Sequence, residues 1–221
     1  MSETSTRGPW PRPAPRRFEG RFVELRPLDP VADAAGLYRA GHEPPAAQAL
    51  WRYLLDGPYA DADAFAAALA ASAARGDKLT FTVRARNGGA RIGMVSLMNV
   101  EPAMGRAELG SLWYAPAAQR GRANTETTYL LLGHLFDELG YRRAEWKCDS
   151  RNAASRAAAT RMGFRYEGLF RQHMVVKGES RDTAWFALLD HDWPRRRVHF
   201  ERWLYGSPGT SLRALNGDCA E

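Results

Sequence analysis

Residues 106–168 read RAELGSLWYAPAAQRGRANTETTYLLLGHLFDELGYRRAEWKCDSRNAASRAAATRMGFRYEG, and their periodicities decide the fold. Residues 106–114 have strand character and stop at Pro116, which cannot donate to a sheet ladder. From Thr125 to Leu139 the apolar positions Tyr129, Leu132, Leu135, Phe136 and Leu139 fall on one helical face, and Gly140 is a natural stop. Residues 143–149 alternate, with Ala144, Trp146 and Cys148 against Arg143, Glu145, Lys147 and Asp149, the pattern of a half-buried strand. Asn152 then caps a short helix that runs to Met162 and ends at Gly163. A strand, a helix and a second strand in the same sheet require a parallel crossover connection.

Working outward, residues 22–26 form a short strand ended by Pro27, and three helical stretches are expected near 30–40, 46–55 and 61–74. Residues 79–85 and 92–100 read as strands joined by the hairpin-type turn Asn87-Gly88-Gly89. Residues 164–176 and 182–189 are two further strands around Lys177-Gly178-Glu179-Ser180, and 195–204 is a last helix. The early strands pair as an antiparallel meander. The fold class is therefore α/β in the α+β sense, with a mixed, mostly antiparallel sheet carrying helices on both faces.

The 221 residues suit one substantial domain, here 19–205, between a basic leader (1–18) and a C-terminal tail (206–221). Ser, Thr, Pro and Arg dominate the leader, which reads as disordered. It has no apolar stretch of the kind a secretory signal needs, and no run approaches the roughly 20 apolar residues of a membrane span. A cytoplasmic protein without membrane contact is expected. Cys148 and Cys219 are too few for a disulfide framework or a structural zinc site, and no histidine pair has metal-ligand spacing. The net charge of +6 is nearly all arginine and favours an anionic ligand, either a phosphorylated cofactor or nucleic acid.

The loop before Thr125 is where such a ligand is expected. Backbone N–H groups at a helix start have no internal partners, and the helix dipole favours negative charge there. Arg120 and Arg122 add positive charge. With Gln119-Arg120-Gly121-Arg122-Ala123-Asn124, Asn152-Ala153-Ala154-Ser155 and Met162-Gly163-Phe164 taken together, the segment resembles the acetyl-CoA site of the GCN5-related N-acetyltransferase (GNAT) family, in particular the branch of the ribosomal-protein alanine acetyltransferases. In that family the loop reads Gln/Arg-x-x-Gly-x-Gly/Ala. Here Arg122 and Asn124 replace the usual small residues, and Gly121 sits one place early.

The resemblance implies acetyl transfer from acetyl-CoA to the primary amine of a small molecule or a protein N-terminus, by direct attack in a ternary complex without a metal. Gln119, Arg120, Gly121, Arg122, Ala123, Asn124 and Thr125 would cradle the pyrophosphate, while Leu112, Trp113 and Tyr114 pair with the pantetheine arm. Asn152 would bind the same arm, and Ser155 would lie near the cofactor sulfur. Glu108 stands where relatives carry a carboxylate that accepts the amine proton, although an ordinary surface charge reads equally well. A tyrosine acid four residues before Gly163 is excluded, because that residue is Ala159. His134 falls on the polar side of helix 125–139, where a solvated or core-edge role is expected; His173 reads as a packed strand histidine, with substrate contact as the alternative, and the tryptophans as core or cleft wall. Homodimers are common in the family, and the sequence does not choose an oligomeric state. The alternative function is a non-catalytic RNA- or ribosome-binding module, which the basic leader and the altered glycine loop favour.

Overall fold

The computed structural model describes residues 8–206 and 209–217. In chain order its strands are β1 Phe18–Glu19, β2 Val23–Pro27, β3 Lys78–Ala85, β4 Arg91–Glu101, β5 Arg106–Tyr114, β6 Arg143–Asp149, β7 Arg165–Val176 and β8 Glu179–Leu189. The helices are α1 Pro30–His42, α2 Ala62–Arg75, α3 Ala123–Gly133, α4 Ala153–Arg161, α5 Trp193–Tyr205 and α6 Leu212–Leu215, and a 3₁₀ segment, Pro45–Arg52, crosses between α1 and α2. The strands form one eight-stranded sheet ordered β1-β2-β3-β4-β5-β6-β8-β7. Only the β5–β6 pair is parallel, where the α3 crossover demands it.

Alternation along the strands gives the sheet two apolar faces. On one, Leu109, Trp146, Phe164 and Phe186 pack with Leu131, Leu132 and Phe200 of α3 and α5 into the main core. On the other, Met94 and Trp113 meet Leu37, Trp51, Phe65 and Leu69 in a smaller cluster under α1, the 3₁₀ segment and α2. Local chemistry sets the helix ends. Asp29 accepts from Val31 N and Ala32 N to start α1, Asp61 accepts from Ala64 N to start α2, and Gly76 leaves α2 in the left-handed region at φ 64°.

One charge is buried deep in the scaffold. Glu126 of α3 is 0% exposed and accepts from the backbone N–H groups of Arg21, Phe22 and Val23 at 2.9, 2.7 and 2.7 Å and from Tyr205 Oη at 2.8 Å. It ties the β1–β2 turn and the end of α5 to α3. Gly20 is required beside it, since a Cβ there would lie 2.4 Å from the carboxylate.

Two expectations need correction. The leader is not a free tail from Gly8 onward. The Trp10 indole donates to Gly140 O at 2.6 Å, Trp10 N donates to Pro102 O at 3.0 Å, and Phe18 is buried in β1. Two aromatic anchors outweigh the polar composition around them; residues 1–7 lie outside the described part. The helix expected over 125–139 begins at Ala123 and passes at His134–Glu138 into a wide π turn, in which Leu139 N donates to His134 O at 3.0 Å. The tail, in its described part, carries α6, with Leu212 buried and Asn216 Nδ2 donating to Arg161 O at 2.9 Å.

Candidate functional site

The parallel pair β5–β6 is short. Only Arg106↔Arg143, Ala107↔Ala144 and Glu108↔Glu145 are in register, whereas β6 stays paired with β8 as far as Asp149↔Thr183. A bulge drives the separation. Against β4, the pair Met94↔Trp113 is followed by Ser96↔Gly110, so β5 carries an extra residue, and Ser111 takes the left-handed φ of 48°. Past Glu108, β5 bends away from β6, and the backbone of residues 110–114 on that side has no strand partner. The sheet thus contains an internal edge whose N–H and C=O groups are available to a ligand.

The loop at the mouth of this gap is equally unsatisfied. Among the described residues, none of the backbone N–H groups of residues 120–125 has a hydrogen-bond partner, and Arg122 gives α3 no side-chain cap. The starts of α1, α2 and α4 all have one. A Cβ on Gly121 would meet only Ala118 O, at 3.7 Å, so nothing in the protein's own packing calls for glycine there. Consecutive free amides at the positive end of a helix dipole, beside an open glycine, fit a pyrophosphate.

The sequence-expected residues divide around this loop. Gln119 braces it, with Nε2 donating to Tyr114 O at 3.0 Å. Arg120 takes the left-handed turn at φ 59° and is exposed. Arg122 turns elsewhere: Nη1 donates to Leu204 O at 3.0 Å and the guanidinium lies 4.7 Å from the Phe22 ring centroid. Ala123 and Thr125 are buried at the helix start, and the enclosed Asn124 Oδ1 has no partner among the described residues. Leu112 lies in the bulge, while Trp113 and Tyr114 rejoin β4 opposite Met94 and Gly93. The Tyr114 side chain is core, and burial pushes its phenol far above the usual range.

The two catalytic candidates lie on opposite faces of the sheet. Ser155 Oγ accepts from Trp146 Nε1 at 3.0 Å on the α4 face, and Ser155 N is capped by Asn152 Oδ1 at 3.0 Å. Cys148 is buried on the same face, and burial pushes its thiol up, which marks it as inert. Glu108 is on the other face and is not a surface charge, being only 5% exposed. Its Oε2 accepts from Asn99 Nδ2 at 2.6 Å and pairs with Lys147 Nζ at 2.8 Å; Oε1 has no protein partner among the described residues. Lys147 also reaches Glu145 at 2.9 Å and lies 4.0 Å above the Trp185 ring centroid.

A strap closes this second face. Tyr53 Oη donates to Arg151 O at 3.2 Å, and Lys177 Nζ, at the β7–β8 turn, donates to Trp51 O at 2.5 Å. Beneath it His42 sits among Tyr38, Trp51, Tyr59 and Phe65, its Nδ1 3.2 Å from Tyr38 O and its Nε2 accepting from Tyr59 N at 3.1 Å. His134 is buried beside Phe18 and Glu138; His173 is exposed and 3.0 Å from Thr183 Oγ1. Sequence reading missed Asn99, Lys147 and Trp185. Strand alternation places Lys147 and Glu145 on one face, but the position of that face beside Glu108 follows from the register of the parallel pair. Among the described residues no cluster of His, Cys, Asp or Glu could hold a metal, and no described helix is long and apolar enough to cross a membrane.

Comparison with known proteins agrees with this geometry. Residues 23–165 match the family model of the acetyltransferase (GNAT) domain. A GCN5-related N-acetyltransferase from Brucella melitensis is 38% identical, with a TM-score of 0.92 over 97% of this chain and 100% of that one. The RimJ protein of Mycobacterium smegmatis, solved with CoA-disulfide, is 26% identical, with a TM-score of 0.65 over 81% of this chain and 87% of its own. A Bacillus subtilis protein described as a putative ribosomal N-acetyltransferase is 31% identical over 105 residues, 48% of this chain and 57% of that relative's length.

Proposed function

Because this chain belongs to the GNAT acetyltransferase family, whose members are acyl-CoA-dependent enzymes, we propose that it transfers acetyl from acetyl-CoA to a primary amine in a ternary complex. The observation that carries this reading is the run of unpartnered backbone N–H groups at residues 120–125, set at the mouth of the β5–β6 gap. These amides, in the loop from Gln119 to Asn124 and on to Thr125, hold the pyrophosphate. The free edge of β5 at Leu112, Trp113 and Tyr114 receives the pantetheine arm, and Asn152 Nδ2, unused in capping α4, faces the same ligand. The cofactor supplies an acetyl group activated as a thioester.

The residues around the gap divide the remaining work. Backbone N–H groups of 112–114 polarise the acyl carbonyl. An ammonium cannot attack, so a base must take a proton; Glu108 Oε1, free while Asn99 and Lys147 hold Oε2, accepts it directly or through water. Ser155 Oγ uses a lone pair to accept from Trp146, and its hydrogen, which also reaches the neighbouring Cys148 sulfur, is the donor offered to the departing thiolate. The Bacillus subtilis relative described as a ribosomal N-acetyltransferase supports a ribosomal protein among the acceptors. The chain is expected to work in the cytoplasm, as a monomer or homodimer.

Calorimetric titration with acetyl-CoA and coenzyme A at fixed salt tests the reading. A Kd on the order of micromolar, about −8 kcal/mol, weakened by Asn152→Ala and by changes in the 119–124 loop, is expected. Absence of binding at high micromolar cofactor would move the function to a non-catalytic RNA- or ribosome-binding module on this scaffold.

A further inference from the structure

The inner face of β8 presents Arg181, Thr183 and Trp185 in alternation, on the side of the sheet that carries Lys147 and Asp149 of β6. Arg181 is 8% exposed and its side chain makes no hydrogen bond or ion pair with any described residue; its Nε is fully enclosed. Trp185 Nε1 is enclosed and without an acceptor as well. Thr183 between them is engaged with His173. Asp149 is within electrostatic reach of Arg181, but its carboxylate is already bound by Arg151 through N at 2.8 Å, Nε at 3.1 Å and Nη2 at 2.9 Å.

A guanidinium stays charged at every accessible pH, and a buried charge with no counter-ion is strongly unfavourable. A buried group of this kind calls for a partner, and a bound anion supplies one. The place is informative. Thr183 faces Asp149 at the end of β6, and a strand rises about 3.3 Å per residue, so Arg181 lies roughly 7 Å further along β8, toward the hairpin that Lys177 ties to the strap. That is the face of the gap opposite Ser155, where Glu108 Oε1 is free.

We propose that Arg181, with Trp185 Nε1 as a second donor, receives an oxyanion of the acceptor, a carboxylate or phosphate carried a short distance from the amine that is acetylated. The acceptor is thus a dipolar molecule or chain end whose anion is fixed by β8 while its amine is presented to the gap. This rests on the acetyl-transfer reading and narrows it.

The test measures thiol release from acetyl-CoA with matched amines: α-amino acids against their amides, phosphoethanolamine against ethanolamine, and peptides with Asp against Asn in second position. The expected result is that wild type prefers one anionic set by about tenfold or more in kcat/KM, and that the ratio falls toward one in Arg181→Met while calorimetric binding of acetyl-CoA is unchanged. The carboxylate and phosphate arms identify the oxyanion. Equal use of neutral and anionic amines by wild type that binds acetyl-CoA would overturn the inference and leave the transferase intact. Thermal melts give a readout free of catalysis. Succinate or phosphate, at constant ionic strength, should raise the wild-type melting temperature but not that of Arg181→Met, which alone should melt no lower than wild type. If both Arg181→Met and Arg181→Lys fail to fold, Arg181 is structural and the inference falls. Absence of acetyl-CoA binding sinks the transferase reading instead, and the anion-dependent melts still decide Arg181.

Discussion

Glu126 and Arg181 are both charged, both buried, and treated in opposite ways by the fold. Glu126 has four donors from two separate parts of the chain; Arg181 has no side-chain acceptor among the described residues. The protein completes the first charge itself and uses it to pin the β1–β2 turn and α5 to α3. It leaves the second incomplete. The same distinction separates the capped starts of α1, α2 and α4 from the bare start of α3. Glu126 is scaffold, whereas the bare start of α3 and the side chain of Arg181 both lie toward the β5–β6 gap.

The largest effect should come from breaking the completed charge. Glu126→Ala leaves three backbone N–H groups, that of Val23 buried, and a tyrosine hydroxyl without an acceptor, and should cost about 3 to 5 kcal/mol in urea or thermal unfolding. A loss below about 1 kcal/mol would remove the contrast with Arg181. Glu108 stands between the two classes, with one oxygen bound and one free. Glu108→Gln should lower kcat about 100-fold, near 2.7 kcal/mol in the barrier, with little change in melting temperature; a large stability loss with normal kcat would class it with Glu126. Tyr205→Phe removes one of the donors to Glu126 and should cost about 1.5 kcal/mol in the same unfolding assay, with acetyl-CoA affinity unchanged.

The smallest effect is a pH dependence of the strap side. Burial holds His42 below its ordinary value of 6.5. The unfolded chain therefore takes up the proton first. The contribution to stability is fully present above that ordinary value and declines as pH falls below it, toward the folded pKa. Both ring nitrogens are engaged, so protonation sets an N–H against the Tyr59 N–H. Melting temperatures should fall on acidification from about pH 7.5 to 5, and His42→Asn should flatten that slope; an equal slope in both proteins would mean that another group titrates.

Much of this was readable from residue order. The alternation of 143–149, the helical face from Tyr129 to Leu139 and the Asn152 cap placed β6, α3 and α4, and the family resemblance of 106–168 agrees with the matched domain over 23–165. What escaped depends on distant partners or on backbone. Arg122 looked like a phosphate ligand, yet the carbonyl of Leu204, more than eighty residues away, takes its guanidinium. The free amides at the start of α3 follow from the break at Pro116 and the helical run beyond Thr125, whereas the bulge at Ser111 that opens the gap carries no side-chain signature. Arg181, in the short polar run Ser180-Arg181-Asp182-Thr183, reads as an ordinary surface strand residue until the strap and the β7–β8 hairpin bury it.

Trp113 has a consequence for the order of events. It follows the bulge on the strand whose free edge faces the gap, and its ring packs 5.7 Å from Trp51 of the strap and against Gly41 of α1. One rigid side chain thus belongs to the cofactor edge and to the acceptor roof at once. In the proposed ternary complex the two co-substrates would share this side chain, and whatever factor one applies to the dissociation constant of the other is returned in the reverse order of binding.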